Sequence, residues 1–316
     1  MSNAAHFTYL SSDGTTKIHA VEWTGDGPVI GVLQIVHGMQ EFIERYDHFA
    51  RWMADQGFAV VGNDHLGHGA SIQSEEKFGF FADDKPDRAV LSDMRALHRR
   101  THEKYPDVPY FMLGHSMGSF LARQYLCLYG KDLTGAIISG TAYHPEAETV
   151  TGMILCRLQA RRHGWMYRSP LLLKMSTGNF NKRFEPARTP ADWLTRDEKV
   201  VDAYIADRRT QFTFTLNGYY GMFRTLHYLT QTENLKRMPK DLPMFFIAGE
   251  MDPVGNFGAG VKRVVVQLRS LGMTNIECHL YPNDRHEVLN ELNRQEVYDD
   301  IWKWMTDCIA RRKMTI

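Results

Sequence analysis

Hydrophobic and polar positions along the chain switch between two periods. Phe7-Thr8-Tyr9-Leu10 and Ile18 to Trp23 alternate on either side of Ser11-Ser12-Asp13-Gly14, which predicts an antiparallel hairpin. From Val29 to Val36 the run is almost continuously apolar, as in a strand covered on both faces. Tyr46, Phe49 and Met53 then fall on one helical face that Gly57 ends, and Phe58 to Val61 is the next buried strand. Leu91, Met94 and Leu97 mark a helix ended by Pro106. Tyr110 to Leu113 is another apolar run closing on Gly114, and Leu121, Tyr125 and Leu128 form a helical face that stops at Gly130. Ala136 to Ser139 is a strand again. Strand and helix alternating in this rhythm predict an α/β fold, a mostly parallel sheet with helices on both faces.

The rhythm breaks between about Thr141 and Asp241. Aromatic and methionine side chains, among them Trp165, Met175, Phe180, Trp193, Tyr204, Met222 and Phe223, are scattered there among arginines, and Pro170, Pro186 and Pro190 punctuate the segment. No compact apolar strand appears. The pattern resumes with a strand at Met244 to Ala248, a helix over roughly Ala259 to Leu271, a strand at Ile276 to Tyr281, and a closing helix carrying Val297, Ile301 and Trp304. The expectation is a core made of residues 1–140 and 241–316, with 141–240 inserted as a helical cap.

The strand-to-helix junction at Tyr110–Tyr129 contains Gly114-His115-Ser116-Met117-Gly118, a Gly-x-Ser-x-Gly pattern in the context it requires. A sharp reversal leaves no space for side chains beside the apex. The apical Ser116 is raised clear of the sheet, over the positive end of its own helix. That is a seat for a nucleophile, but a serine hydroxyl needs an imidazole to take its proton and a carboxylate to orient that imidazole.

Active groups in open parallel sheets collect at the carboxyl ends of strands. Two such ends follow the elbow: Gly249-Glu250-Met251-Asp252-Pro253-Val254-Gly255, and Pro282-Asn283-Asp284-Arg285-His286-Glu287. The order Ser116, Asp252, His286 is that of an α/β-hydrolase triad. Glu250 competes for the acid role, with Asp252 favoured because Pro253 and Gly255 fix its loop. His279 lies within a strand pattern and reads as core or surface. His286-Glu287 lacks the second histidine of H-E-x-x-H, because position 290 is Asn, so a zinc protease is not encoded there. An oxyanion hole needs two convergent N–H groups, and Met117 and Met39, after His37-Gly38, are placed to supply them.

These stretches resemble the monoacylglycerol lipase and lysophospholipase branch of the serine α/β-hydrolases, also described as serine aminopeptidase-like. The resemblance rests on His37-Gly38-Met39-Gln40-Glu41 with Arg45-Tyr46, on Asp64 to Ser71, on Gly114 to Gly118, and on Asp252 to Gly255 with Arg285-His286-Glu287. It implies an ester hydrolase with Ser116, Asp252 and His286 as triad, Met39 and Met117 as oxyanion donors, and no metal or organic cofactor. Met39 stands where the lipases usually carry a small residue, and the cap matches poorly, so the resemblance fixes chemistry better than substrate. Epoxide hydrolases and dehalogenases of this fold use a carboxylate nucleophile, against Ser116. Proline iminopeptidases carry a glycine- and proline-rich sequence after His-Gly, against Met39-Gln40-Glu41. A small-molecule carboxylesterase, a serine aminopeptidase and a non-catalytic ligand-binding relative remain as alternatives. The loop Asp64 to Ser71, with two histidines and an aspartate, reads as a structural loop.

Composition changes this picture little. Formal net charge is zero over 316 residues, which gives nucleic acid no global attraction. Cys127, Cys156, Cys278 and Cys308 form no C-x-x-C pair and read as reduced thiols. The first ten residues carry neither the basic nor the apolar region of a signal peptide, which makes the expected location cytoplasmic. One local departure matters: residues 151–210 hold twelve Lys and Arg against six Asp and Glu, a surplus of six. With the aromatics and methionines this suggests an apolar channel for an acyl chain, an anionic or interfacial headgroup near the arginines, and transient contact with a membrane surface. A solvated basic face is the competing reading.

Overall fold

The computed structural model describes residues 2–315. Its strands are β1 (Asn3–Leu10), β2 (Lys17–Thr24), β3 (Gly31–Val36), β4 (Phe58–Asn63), β5 (Tyr110–His115), β6 (Gly135–Ser139), β7 (Met244–Gly249) and β8 (Ile276–Tyr281). They form one eight-stranded sheet in the order β1-β2-β4-β3-β5-β6-β7-β8. β1 pairs antiparallel with β2, Phe7 opposite Ala20, and β2 antiparallel with β4. From β4 to β8 every pairing is parallel.

The hairpin turn forms where the pattern predicts it, because the Asp13 carboxylate accepts the N–H groups of Thr15 and Thr16, both at 2.8 Å. The run starting at Val29 enters the sheet only at Gly31; before it, Ile30 donates its N–H to the Gly57 carbonyl at 2.9 Å. Strands β3 to β7 are buried along their whole length, which is why they read as continuous apolar runs.

The helices are α1 (Asp47–Asp55), α2 (Pro86–Lys104), α3 (Met117–Tyr129), α4 (Glu146–His163), α5 (Pro170–Thr177), α6 (Glu198–Ala206), α7 (Leu216–Thr230), α8 (Thr232–Leu235), α9 (Ala259–Ser270) and α10 (Arg294–Thr315). Alternate residues of each strand feed two cores. Val32 and Met112 pack with Met94 of α2, Leu121 of α3 and Val264 of α9. Leu33 and Leu113 pack with Phe49 of α1 and Ile301 of α10 on the other face. Helix α2 begins earlier than its apolar pattern suggests, with Lys85 in a left-handed conformation (φ 42°) and Pro86 in the first turn.

Between β6 and β7 the chain is helical, from α4 to α8. Phe214, Leu216 and Tyr219 of this segment belong to the same apolar cluster as α2 and α3, and α7 packs directly on those two helices while α4 packs on α7. A small separate cluster joins Ala191, Leu194 and Val201. At Gly152 of α4 an added Cβ would lie 2.6 Å from the Phe223 ring of α7, so these two helices approach as closely as a glycine permits. Among the described residues no helix is long and apolar enough to cross a membrane.

Candidate active site

Ser116 sits between β5 and α3 with φ 53° and ψ −121°, a conformation that costs a non-glycine residue roughly 1–3 kcal/mol. Its N–H donates to the Ser139 carbonyl at 3.0 Å, and its own carbonyl accepts the Ser119 N–H at 2.9 Å. The flanking glycines are required by space. A Cβ on Gly114 would lie 2.4 Å from the Gly118 carbonyl oxygen, and one on Gly118 only 2.0 Å from that of Val36. Ser116 is the partly exposed residue in a stretch that is buried from Tyr110 to Cys127.

His286 follows β8 and Asp252 follows β7. The His286 Nδ1 lies 3.0 Å from Asp252 Oδ1, with both side chains essentially inaccessible. Asp252 Oδ1 also accepts the Val254 N–H at 2.8 Å, which fixes the carboxylate within its own turn. Burial works against the imidazolium, but the charge of Asp252 beside it outweighs burial, and His286 titrates above the ordinary histidine range. Glu250, the competing acid, is exposed. His279 is also exposed and lies 3.5 Å from Asp300, away from the elbow.

Ser116, His286, Met39 and Met117 line one cavity of about 640 Å³, a size that suits a small organic ligand. Much of its wall is apolar: Phe120, Val254, Met175, Met222, Phe223 and Leu226. Its polar lining includes Gln40, Glu41, Glu148, Glu287, Tyr204 and Trp193. Glu41 and Glu287 of this lining are held by one guanidinium. Arg45 donates to Glu287 Oε1 and Oε2 at 2.7 and 2.8 Å and to Glu41 Oε2 at 3.1 Å, while Tyr204 lies beneath its charge, 4.9 Å from ring centre to Cζ. Glu41 in turn accepts the Gly38 N–H and the Tyr46 hydroxyl. Against burial, Arg45 keeps Glu287 ionised at about 2; burial and the Glu287 charge push Glu41 up to about 7.

The Asp64–Ser71 loop spends its polar groups on scaffold bonds. Asp64 accepts the N–H groups of Ile43 and Ala70, each at 2.8 Å, and His37 Nε2 accepts the His65 N–H at 2.9 Å. Burial first, then neighbouring imidazoles, keeps His37 and His65 neutral. Arg45, Glu287, Tyr204 and Trp193 are the residues that the sequence left without a role. The first two stand inside the recognised motifs. Nothing in the pattern around Tyr204 or Trp193 distinguishes them from other aromatics of the 141–240 segment.

The sheet order, the strained serine elbow and the helices on both faces define an α/β-hydrolase. A family model described as "Serine aminopeptidase, S33" (Hydrolase_4) matches residues 27–293, and the chain belongs to that family. It is similar to a monoacylglycerol lipase of Mycolicibacterium smegmatis, 26% identical over 96% of this chain and 98% of that one. The phospholipase YtpA of Bacillus subtilis is 23% identical over 87% and 95% of the two chains. A crystal structure of a thermostable carboxyl esterase from Bacillus coagulans in complex with glycerol superposes with a TM-score of 0.90, at 29% identity and with 97% and 99% coverage. The chain is a carboxylic ester hydrolase of this family.

Proposed function

We propose that the chain cleaves monoacylglycerol-type esters, with Ser116 as nucleophile, His286 as general base and Asp252 as its orienting acid. The observation that carries this is the convergence of Ser116, His286 and two candidate N–H donors on one cavity with an apolar wall and no lysine or arginine in its lining. His286 takes the Ser116 proton as Oγ attacks the ester carbonyl, and the oxyanion is received by the N–H groups of Met39 and Met117. The alcohol leaves with the proton from His286. Water, deprotonated by the same imidazole, then releases the acid.

The apolar lining suits an acyl chain, and the polar lining residues a small neutral alcohol. Glu41 and Glu287 are engaged by Arg45, which leaves no free carboxylate pair for a peptide ammonium, so the ester reading stands ahead of aminopeptidase. Residues 141–240 act as a cap that shapes this cavity through Met175, Trp193 and Phe223. Leu158, Leu171 and Met175, each about half exposed or more, beside Arg161 and Lys174, support transient contact with a lipid surface. Four free thiols fit a reducing compartment, which supports a cytoplasmic location.

The test is hydrolysis of p-nitrophenyl esters from acetate to palmitate beside a monoacylglycerol, a lysophosphatidylcholine and an amino-acid p-nitroanilide. Ser116→Ala should lower kcat by at least ~10³-fold with the fold retained. Near-normal turnover in that variant would sink the assignment, and cleavage of the anilide alone would move the peptidase reading forward.

A further inference from the structure

We propose that Arg196, on the inserted segment, is a positioning residue for His286, so that residues 192–196 form a fixed part of the catalytic centre. This rests on the reading of His286 as the base.

Two backbone bonds join the segment to the histidine loop. His286 donates its N–H to the Trp193 carbonyl at 3.4 Å, and Glu287 donates to that of Leu194 at 2.7 Å. The Trp193 ring lies over the imidazole with centroids 5.1 Å apart. Thr195 adds a hydroxyl bond to the Asn290 carbonyl at 3.0 Å. The backbone of the histidine loop is therefore held from outside its own strand.

Arg196 closes the arrangement. Its guanidinium reaches Asp284 Oδ1 at 2.6 Å and Glu291 Oε2 at 2.9 Å, and both carboxylates are fully buried. These two acids bracket His286 in sequence. Glu291 Oε1 also accepts the N–H groups of Arg285 at 2.9 Å and of Arg196 at 3.1 Å. The Asp284 carbonyl accepts the N–H of Met251, the neighbour of Asp252, at 2.9 Å. One residue thus touches the acid loop through its backbone and the inserted segment through its side chain.

Burial, and then Glu291, push Asp284 up to about 6, opposed by Arg196. Without the guanidinium two buried carboxylates would face each other without the cation that bridges them, and the loop between them would have to move. That loop carries His286. A guanidinium can bridge two carboxylates at once, whereas an ammonium on the same stem is a single point. By contrast the Arg188 guanidinium, on the same segment, pairs with exposed Asp202 and Glu198, and Arg188 meets residues 192–196 through its backbone N–H to Asp192 at 2.6 Å, which R188M keeps.

The variants are Arg196→Met, Arg196→Lys and, as control, Arg188→Met. Each is read by ester hydrolysis, by melting temperature, and by the rate at which diisopropyl fluorophosphate modifies the serine. A misplaced histidine slows both chemical steps and leaves ground-state binding alone. R196M should lose at least ~10-fold in kcat with KM within ~2-fold, and modification should slow by a similar factor. R196K should fall between wild type and R196M, and R188M should match wild type. If R196M does not fold, R196K decides by the same two rates. A folded Arg196 variant with wild-type kcat and modification rate overturns the inference. A wild-type protein that neither cleaves esters nor reacts with the fluorophosphate removes the reading on which it rests, which is a separate result.

Discussion

His286 keeps its proton to a higher pH than an ordinary imidazole, even though it is buried. Burial alone would favour the neutral ring; the charge of Asp252 at 3.0 Å reverses the sign. A general base must be neutral to act, so in the proposed role of His286 the raised value sets where activity begins. In wild type, kcat/KM should rise with pH along a limb centred above the ordinary ~6.5 of histidine. Replacing Asp252 with Asn removes the charge that favours the imidazolium. The limb should then move to lower pH, while the plateau falls by at least ~10³-fold because the imidazole loses its orienting partner. A pH profile of kcat/KM for both proteins checks this, and an unmoved limb would assign the titration to another group. Arg45 makes a second case at this scale. Arg45→Met leaves Glu287 and Glu41 buried with no cation, a change that costs about 3–5 kcal/mol. A large fall in melting temperature is the expected readout, together with reduced kcat, since Glu41 holds the Gly38 N–H beside Met39.

At the scale of elements, the elbow is determined by atoms that cannot move. A Cβ at position 118 would fall 2.0 Å from the Val36 carbonyl oxygen and 2.5 Å from that of His37, both backbone atoms at the end of β3. Gly118→Ala should therefore separate α3 from β3 and lower Tm by at least ~4 °C, whereas Gly27→Ala, with nothing within 4 Å of its new methyl, should leave Tm unchanged. Calorimetry of the two variants makes the comparison, and an unaffected Gly118→Ala would mean that the elbow packs less tightly than its geometry indicates. The elbow was legible in the sequence for the same reason. Its glycines, the apolar run of β5 and the helical face of α3 are local, and each leaves a pattern. The strand ends carrying Asp252 and His286 were legible because β7 and β8 are bounded by turn residues. What holds those ends was not legible. The bonds from Trp193 and Leu194 to residues 286 and 287 join positions more than ninety residues apart through backbone atoms, and backbone atoms leave no mark on residue identity. The start of α2 at Pro86 was missed because its first turn packs through Pro86 and a buried Asp87 rather than through large apolar side chains.

At the scale of the whole molecule, three arginines of the basic 151–210 segment reach acids of the sheet portion. Arg196 pairs with Asp284 and Glu291, Arg208 with Glu75, and Arg209 with Glu44. Arg168 donates to the carbonyls of Glu76 and Phe78. The pairs of Arg208 and Arg209 are solvent-exposed and contribute little each; the pair of buried acids under Arg196 is the substantial one. The Arg196 cluster thus ties the inserted segment to buried acids of the sheet portion, and none of these arginines lines the cavity. An anionic headgroup near the arginines, one reading of the count, has no lysine or arginine to meet inside: the acids of the lining are Glu41, Glu148 and Glu287, and its histidines are His115, His144 and His286. Bringing a phosphate to that site means removing its water without supplying a partner. Even ~1.4 kcal/mol of uncompensated desolvation is a factor of ten. Monoacylglycerol should accordingly exceed lysophosphatidate of the same acyl chain in kcat/KM by at least ~10-fold, with lysophosphatidylcholine between them because its ammonium offsets the phosphate. Initial rates on the three substrates below their aggregation limits decide it. Equal rates for lysophosphatidate would require an arginine of the 151–210 segment to swing into the cavity when substrate binds, and the neutral-headgroup reading would fall.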